Sequence, residues 1–514
     1  MKTIYSFALL ASLSLTASAQ DSFDALDLGA KDLAGTARYV SMGGALSALG
    51  GDVSVMHVNP AGIGLYKRND FAVGVSLVSV DQSVLYQNKS KLNFDYIGAV
   101  FSYDNDGDEP MFINFGIGVK NNRNFFNNIG TTVGGFDKYP LSQTYQIANY
   151  ANDAQYLDDW SGFLADMAAL NTTGKDAHPG ILDSEENAAK DAEGNPTTKW
   201  NGIPAQAAEY YRSVHGSNTV WDLNVSLNLS DRWFIGAGLG FSWLNMTRES
   251  AYSEVSVDGY QYMFENMYET TGYGFDVKLG AIVRPFEDSP FRIGVNWKSP
   301  TSYRLTDRNS STLFYDMTNI ENNKGTYSKY SSDYEYDYSD PWSLGVSLGY
   351  TIGKNFAIGA EYEYQDFSNA KYTSLYSDDE QYFRDMNKGI MAIGKSQHTY
   401  KIGAEFKPVD NVSLRLGYNY ITSPYELTAV KGLGYDSPHT ETDWVNWKDI
   451  QRICAGLGFR FNKCYLDVAY QYQMQKGDFY AFNIINDNGE EIYFPPTEIK
   501  ANRSRLHMTF GVKF

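Results

Sequence analysis

Beyond its first twenty residues, no stretch of the 514-residue chain approaches the roughly 20 consecutive apolar residues that a transmembrane helix needs. A multi-helix membrane protein is thereby excluded. Cysteine is almost missing, and two copies cannot frame a disulfide scaffold. Histidine is scarce, and its six copies (His57, His178, His215, His398, His439, His507) show no metal-ligand spacing. Positive charge is in deficit, 42 Lys+Arg against 61 Asp+Glu for a net charge of −19. No nucleic-acid partner is expected, because phosphate contact needs basic surface. No nucleophile–base set of Ser, His and carboxylate stands out, so the chain does not read as an enzyme, and no metal or cofactor is expected. The acidic run Asp378, Asp379, Glu380 has oxygen ligands that Ca²⁺ could use, but such a run is more often a solvated loop.

What is abundant points elsewhere. Forty Tyr, 46 Gly and 15% aromatic residues at a mean hydropathy of −0.40 suit extensive β structure with many turns rather than disorder. Residues 1–19 read as a signal peptide. Lys2 gives a positive start, Phe7–Leu15 an apolar core, and Ala17-Ser18-Ala19 a small-x-small cleavage site before Gln20.

From Asp70 to Phe514, apolar side chains recur on every second position in segments of about 10–14 residues. Leu223/Val225/Leu227/Leu229 and Ile235/Ala237/Leu239/Phe241/Trp243 share faces on two such segments, with Ser230-Asp231-Arg232 between them. The pattern returns at Leu344/Val346/Leu348/Tyr350, at Tyr400/Ile402/Ala404/Phe406 and at Ile453/Ala455/Leu457/Phe459/Phe461. Sandwich strands usually run about 5–6 residues, so these are too long and too regular for one. About fourteen strands are expected, an even number that fits a closed antiparallel transmembrane β-barrel.

Short links (Ser230–Arg232, Gly353–Asn355, Asn462–Lys463) alternate with long polar ones, as in a barrel with tight turns at one rim and long loops at the other. The long loops are expected near Asn121–Asn218, Asn245–Glu269, Thr306–Ser339, Ser368–Ser396, Thr422–Trp447 and Lys476–Glu498. The first is the largest, with helix-like patches at Ser142–Ala151, Trp160–Leu170 and Ala205–Arg212. Aromatics at strand ends, among them Trp221, Trp233, Trp243 and Tyr418, suit the girdles that meet outer-membrane lipid. Register places Cys464 outward and Cys454 inward, roughly 20 Å apart at about 3.4 Å per residue. A disulfide needs Cα atoms within about 7 Å, so none is expected.

Gln20–Asn69 does not read as strand. It carries Gly35-Thr36-Ala37-Arg38, then Met42-Gly43-Gly44-Ala45, an acidic Asp52, and Asn59-Pro60-Ala61-Gly62. In that order and spacing the motifs resemble the start of the FadL-type outer-membrane transporters, which include channels for long-chain fatty acids and aromatic hydrocarbons. The resemblance is sharp over about fifty residues and architectural over the rest. It implies that residues 20–69 form a lumenal hatch containing Gly43, Gly44, Asn59, Pro60, Ala61 and Gly62. It further implies passive uptake of a hydrophobic small molecule, with sideways exit near the third strand. That strand carries Asn114, Gly116 and Gly118. The glycines suit a kink, and equally suit making room for a plug. The final strand, alternating to Phe514, resembles the one that barrel assembly machinery recognises. Some relatives of this family instead bind proteins during secretion, and a plugged platform of that kind is the alternative. The Tyr-rich loop Ser331–Tyr338 fits either ligand binding or a surface coat.

Overall fold

The computed structural model describes residues 21–81, 88–104, 111–136, 141–156, 181–190, 196–316, 324–432, 440–485 and 491–514. The expected signal peptide and the patch at Trp160–Leu170 lie outside them.

Alternation sets the architecture. In the stretch around residue 224, Leu223, Val225 and Leu227 are exposed, whereas Asp222, Asn224 and Ser226 are buried. The arrangement is inside-out by the standards of a soluble protein. A two-residue period sends one face outward and the other inward, so the same sequence makes an apolar outer wall and a polar lumen.

Fourteen strands build that wall: β1 Asp70–Val80, β2 Ser90–Asp104, β3 Met111–Asn124, β4 Ala205–Leu229, β5 Trp233–Ser256 and β6 Gln261–Val283. β7 is Arg292–Lys298 continued by Ser302–Asp316, and β8 is Tyr334–Ser339 continued by Ser343–Ile352. Then follow β9 Phe356–Asp366, β10 Ser396–Val409, β11 Val412–Ile421, β12 Trp444–Phe461, β13 Cys464–Tyr480 and β14 Arg503–Lys513. Each pairs antiparallel with its sequence neighbours, and β1 closes on β14 from Asp70↔Lys513 to Val80↔Arg503. The result is a closed antiparallel barrel with a lipid-facing apolar band, the form in which strands cross an outer membrane.

Tight turns mark one rim: Ser230 and Asp231 (φ 54° and 53°) and Asn462 (φ 53°) adopt left-handed backbone that Asn and Asp tolerate. The other rim departs from the sequence reading. Ala205–Arg212 is not helical. It is the outer end of β4, paired with β5 and with the strand Asn127–Val133. Likewise Asn245–Glu269 is no loop, because β5 and β6 continue as one hairpin to the turn at 257–260. Spanning takes about 9–11 residues, so strands of 23–25 residues rise well above the bilayer. The Ser142–Ala151 patch does form helix α3, Gln143–Tyr156 (α1 and α2, introduced below, precede it).

One stretch of wall is irregular. Ser299-Pro300-Thr301 in β7 and Asp340-Pro341-Trp342 in β8 interrupt both strands at one level, since proline has no N–H for the ladder. Asp340 bridges the gap, accepting from the Thr301 backbone N–H (2.5 Å) and from Lys298 Nζ (3.1 Å).

Residues 21–69 lie inside the ring. They contain α1 (Ser22–Gly29), α2 (Ala37–Ser41) and two 3₁₀ turns, Val53–His57 and Pro60–Leu65. Each begins at a capping side chain: Asp21 accepts from Asp24 N (2.8 Å), Thr36 from Tyr39 N, Asp52 from Ser54 N and Asn59 from Ala61 N (the last two at 3.0 and 3.1 Å). Short helices of this kind are marginal alone, so wall contact must hold them. α2 lies on β11–β14, the Val53–His57 turn on β2 and β3, and the Pro60–Leu65 turn on β4–β6.

Candidate functional site: a charged cavity beneath an aromatic roof

The motif residues of the inner segment sit where backbone meets backbone. Gly43 and Gly44 have φ of +63° and +83°, and a Cβ on Gly43 would stand 2.9 Å from the Tyr418 backbone N and O. On another arc of the ring, Pro60 and Ala61 press on wall glycines. A Cβ on Gly236 would be 2.5 Å from both Pro60 C and Ala61 N. Asn59 caps its own turn and donates from Nδ2 to Ser47 O (3.2 Å). Gly62 carries the turn past the Val55 side chain.

Gly116 and Gly118 on β3 do a related job. Met56 and Ile63 lie against Gly116, and His57 with Tyr96 against Gly118. The ladder through these residues is unbroken, from Tyr96↔Lys120 to Asp104↔Phe112 on one side and from Met111↔Leu229 to Asn121↔Thr219 on the other. Asn114 is fully buried, and its amide makes no hydrogen bond among the described residues.

Ion pairs fasten the inner segment on several sides. Asp32 meets Arg505 (2.5 Å), Arg503 (3.4 Å) and Arg452 (3.9 Å) from β14 and β12. Burial alone would raise this carboxyl, but the three guanidiniums hold it well below the ordinary range. Arg38 bonds Glu405 (3.0 Å), which shares the same oxygen with the fully buried Arg415 (2.5 Å), and Arg415 continues to Asp467 (2.7 Å). At the long-loop rim Asp24 pairs with Arg248 (2.6 Å), which also meets Glu441 (2.8 Å), while Lys431 holds Asp21 (2.9 Å). Burial pushes Asp24 up to about 7, against the pull of Arg248. His57 Nδ1 bonds Asp222, whose other oxygen accepts from Lys278 (2.5 Å). Burial pushes the His57 imidazole below its usual value despite that carboxylate.

Between the inner segment and the wall lies a cavity of about 100 Å³. Its lining carries six cations (Lys31, Lys120, Lys278, Lys298, Lys401, Arg452) and four carboxylates (Asp32, Asp222, Asp276, Glu363). Drug-sized ligands occupy pockets of roughly 300–1,000 Å³, and this one lies well below that range.

Tyr303 both lines the cavity and joins an aromatic cluster above it. There Phe23, Leu26 and Leu28 of α1 are enclosed by Tyr268, Tyr336, Tyr338, Phe367, Tyr372, Tyr425 and Trp444. The amphipathic helix α4, Glu380–Ile393, covers them with Phe383, Ile390 and Ile393. Tyr338 Oη donates to Ala25 O (2.6 Å), and Phe23 stacks on Tyr425 at 5.6 Å between centroids. Thus Tyr336 and Tyr338 of the Tyr-rich loop coat no surface. They alternate inward and roof the lumen.

The sequence reading located the glycines and the Asn-Pro turn but missed every ionic fastening, whose partners lie hundreds of residues away. It also missed Lys120. The available signal was a lysine at an inward position of a strand whose neighbouring inward positions are Gly118, Gly116 and Asn114. His507 faces the lumen and pairs with Asp95 (2.7 Å). Cys454 is buried against the inner segment, Cys464 is partly exposed on the outer face, and both are free.

Fold and site together define a β-barrel whose lumen is filled by its own N-terminal segment. Solved structures of similar fold include a Pseudomonas aeruginosa FadL homologue (10% identity, 94% of this chain and 99% of that one, TM-score 0.49). Others are the toluene transporters TodX of P. putida (11%, 94% and 99%, 0.47) and TbuX of Ralstonia pickettii (12%, 94% and 99%, 0.48). The likeness runs over nearly the whole of both chains in each case. No family model matches the sequence, and no curated protein matches it either.

Proposed function

We propose that the chain is an outer-membrane channel for passive uptake of hydrophobic small molecules, with residues 20–69 acting as its hatch. The observation that supports this most is the roof. Phe23, Leu26 and Leu28 sit among tyrosines and phenylalanines as an apolar ligand would, so an entering hydrophobe can replace them contact for contact. Burial at about 25 cal/mol per Å² of apolar area supplies the driving force. The cavity of about 100 Å³ is too small for such a ligand, so passage needs the hatch to move. Exit beside β3, at Asn114, Gly116 and Gly118, requires Met56 and Ile63 to withdraw and the continuous ladder there to part. The partners in this reading are the hydrophobic ligand, outer-membrane lipid, and the assembly machinery that takes the strand ending in Phe514.

The test is accumulation of radiolabelled toluene and dodecanoate by a host lacking its own hydrophobe channels, with and without this protein. Uptake several-fold above background is expected for at least one compound, and no gain for either overturns the proposal. The charged lining and small volume favour a second reading, a plugged barrel that binds exported proteins as a platform. Absent uptake together with copurifying exported proteins would select it.

A further inference from the structure

Lys120 is 6% exposed, lines the cavity, and makes no ion pair or hydrogen bond among the described residues. Its neighbours explain why. The nearest inward carboxylate is Asp222, diagonally across on β4, and both of its oxygens are taken, one by His57 and one by Lys278. Lys298 and Lys401 are balanced by Asp340 and Glu361 just behind the lining. Asp32 already faces three arginines, so no spare negative charge remains on that side. Asp276 likewise bonds Lys278 (2.8 Å), so among the described residues Lys120 is a lining ammonium that no carboxylate oxygen meets at ion-pair distance. An isolated buried ammonium is costly, and an anion that meets it recovers much of that cost.

We propose that the cavity is a binding site for a small monovalent oxyanion of carboxylate type, held by charge-assisted hydrogen bonds from Lys120 Nζ. The volume supports the assignment. A cavity of about 100 Å³ has room for a carboxylate together with water. The lining is mostly polar, its apolar residues being Leu33, Ala34, Val58, Val220 and Ile421, so a bound group is met by hydrogen-bonding side chains. This site does not depend on the uptake proposal, since toluene carries no charge and needs no lysine.

The experiment uses the full-length protein in detergent and reads formate binding by saturation-transfer NMR. Wild type and Lys120→Arg bind formate, while Lys120→Met, matched in length, loses about tenfold or more in affinity. Lys67→Met, at an exposed rim lysine, binds as wild type. Heat-modifiable migration on gels confirms that each variant is folded. Dodecanoate then separates two sources of the same chemistry. If it displaces formate, the site takes the head of an amphiphile; if it does not, the site takes a free small anion. Failure of wild type to bind formate, or equal binding by Lys120→Met, overturns the assignment. Toluene uptake is measured separately on the wild-type protein, so the formate result and the uptake result stand or fall separately.

Discussion

Replacing Asp32 with Asn removes one negative charge and leaves Arg452, Arg503 and Arg505 facing each other in the lumen. The loss is worse than a missing hydrogen bond, because three buried cations remain without a counter-charge. Breaking a buried pair by deleting one partner costs about 3–5 kcal/mol. A value of about 4 kcal/mol corresponds to roughly a thousandfold rise in local opening, at about 1.4 kcal/mol per decade. Asp32 also accepts from the Asn124 backbone N–H (2.9 Å), a bond that the amide oxygen of Asn can keep, so the effect isolates charge. The assay is native-state hydrogen exchange of the peptide spanning residues 30–45. Its protection falls by about three decades while that of β4–β6 is unchanged, since their ladders do not involve Asp32. The pH dependence follows from the same contacts. A carboxyl depressed in the fold contributes its stability fully above its unfolded value of about 4 and loses it as pH falls below. Protection of this peptide, corrected for intrinsic rates, is therefore flat with respect to Asp32 from pH 5 to 8 and drops only in acid. Exchange in Asp32→Asn within threefold of wild type would refute the claim that this cluster fastens the segment.

Asp24 shows the opposite sign. Its carboxyl is raised to about 7, so docking of α1 is strongest in acid and weakens as pH climbs from about 4 through 7. Exchange of residues 22–29 speeds up accordingly, and Asp24→Asn removes that trend. Gly236→Val sets a side chain against Pro60 and Ala61 backbone that cannot swing away, costing about 1–3 kcal/mol. The barrel still migrates as folded, but trypsin reaches the inner segment sooner than in wild type. Phe383→Ala removes a ring from the aromatic roof at a local cost of about 3–5 kcal/mol. On the uptake proposal it raises dodecanoate or toluene accumulation, and unchanged accumulation counts against the roof as the entry point.

The wall was legible because the membrane enforces its pattern. Within the bilayer every second residue must be apolar, and β1 (Asp70–Val80) and β11 (Val412–Ile421) are strands in the alternating region. Turns at the short rim were equally clear, since Ser230-Asp231 and Asn462 use left-handed backbone. Above the bilayer that constraint lapses. Ala205–Arg212 and Asn245–Glu269 pair as strands with polar residues on both faces, so nothing in the pattern separates them from loops. In the site, the glycines and the Asn59-Pro60 turn were visible because each is a local backbone requirement. Asp32 with Arg503 and Arg505, 471 and 473 residues apart, and Lys120 with its missing partner are properties of the closed ring.

Asn69, the last residue before β1, exchanges both backbone hydrogen bonds with Phe514 at 3.1 Å each. The seam of the ring therefore joins the earliest barrel residues made to the final residue of the chain. Everything enclosed by the ring comes from upstream of that seam. The N-terminal segment is synthesised first, yet the walls that clamp it are completed only when β14 reaches β1. Clamping of the inner segment is thus complete only once the last strand is in place. Residues such as Arg503 and Arg505, carried on that last strand, then lock it in place at the moment of closure.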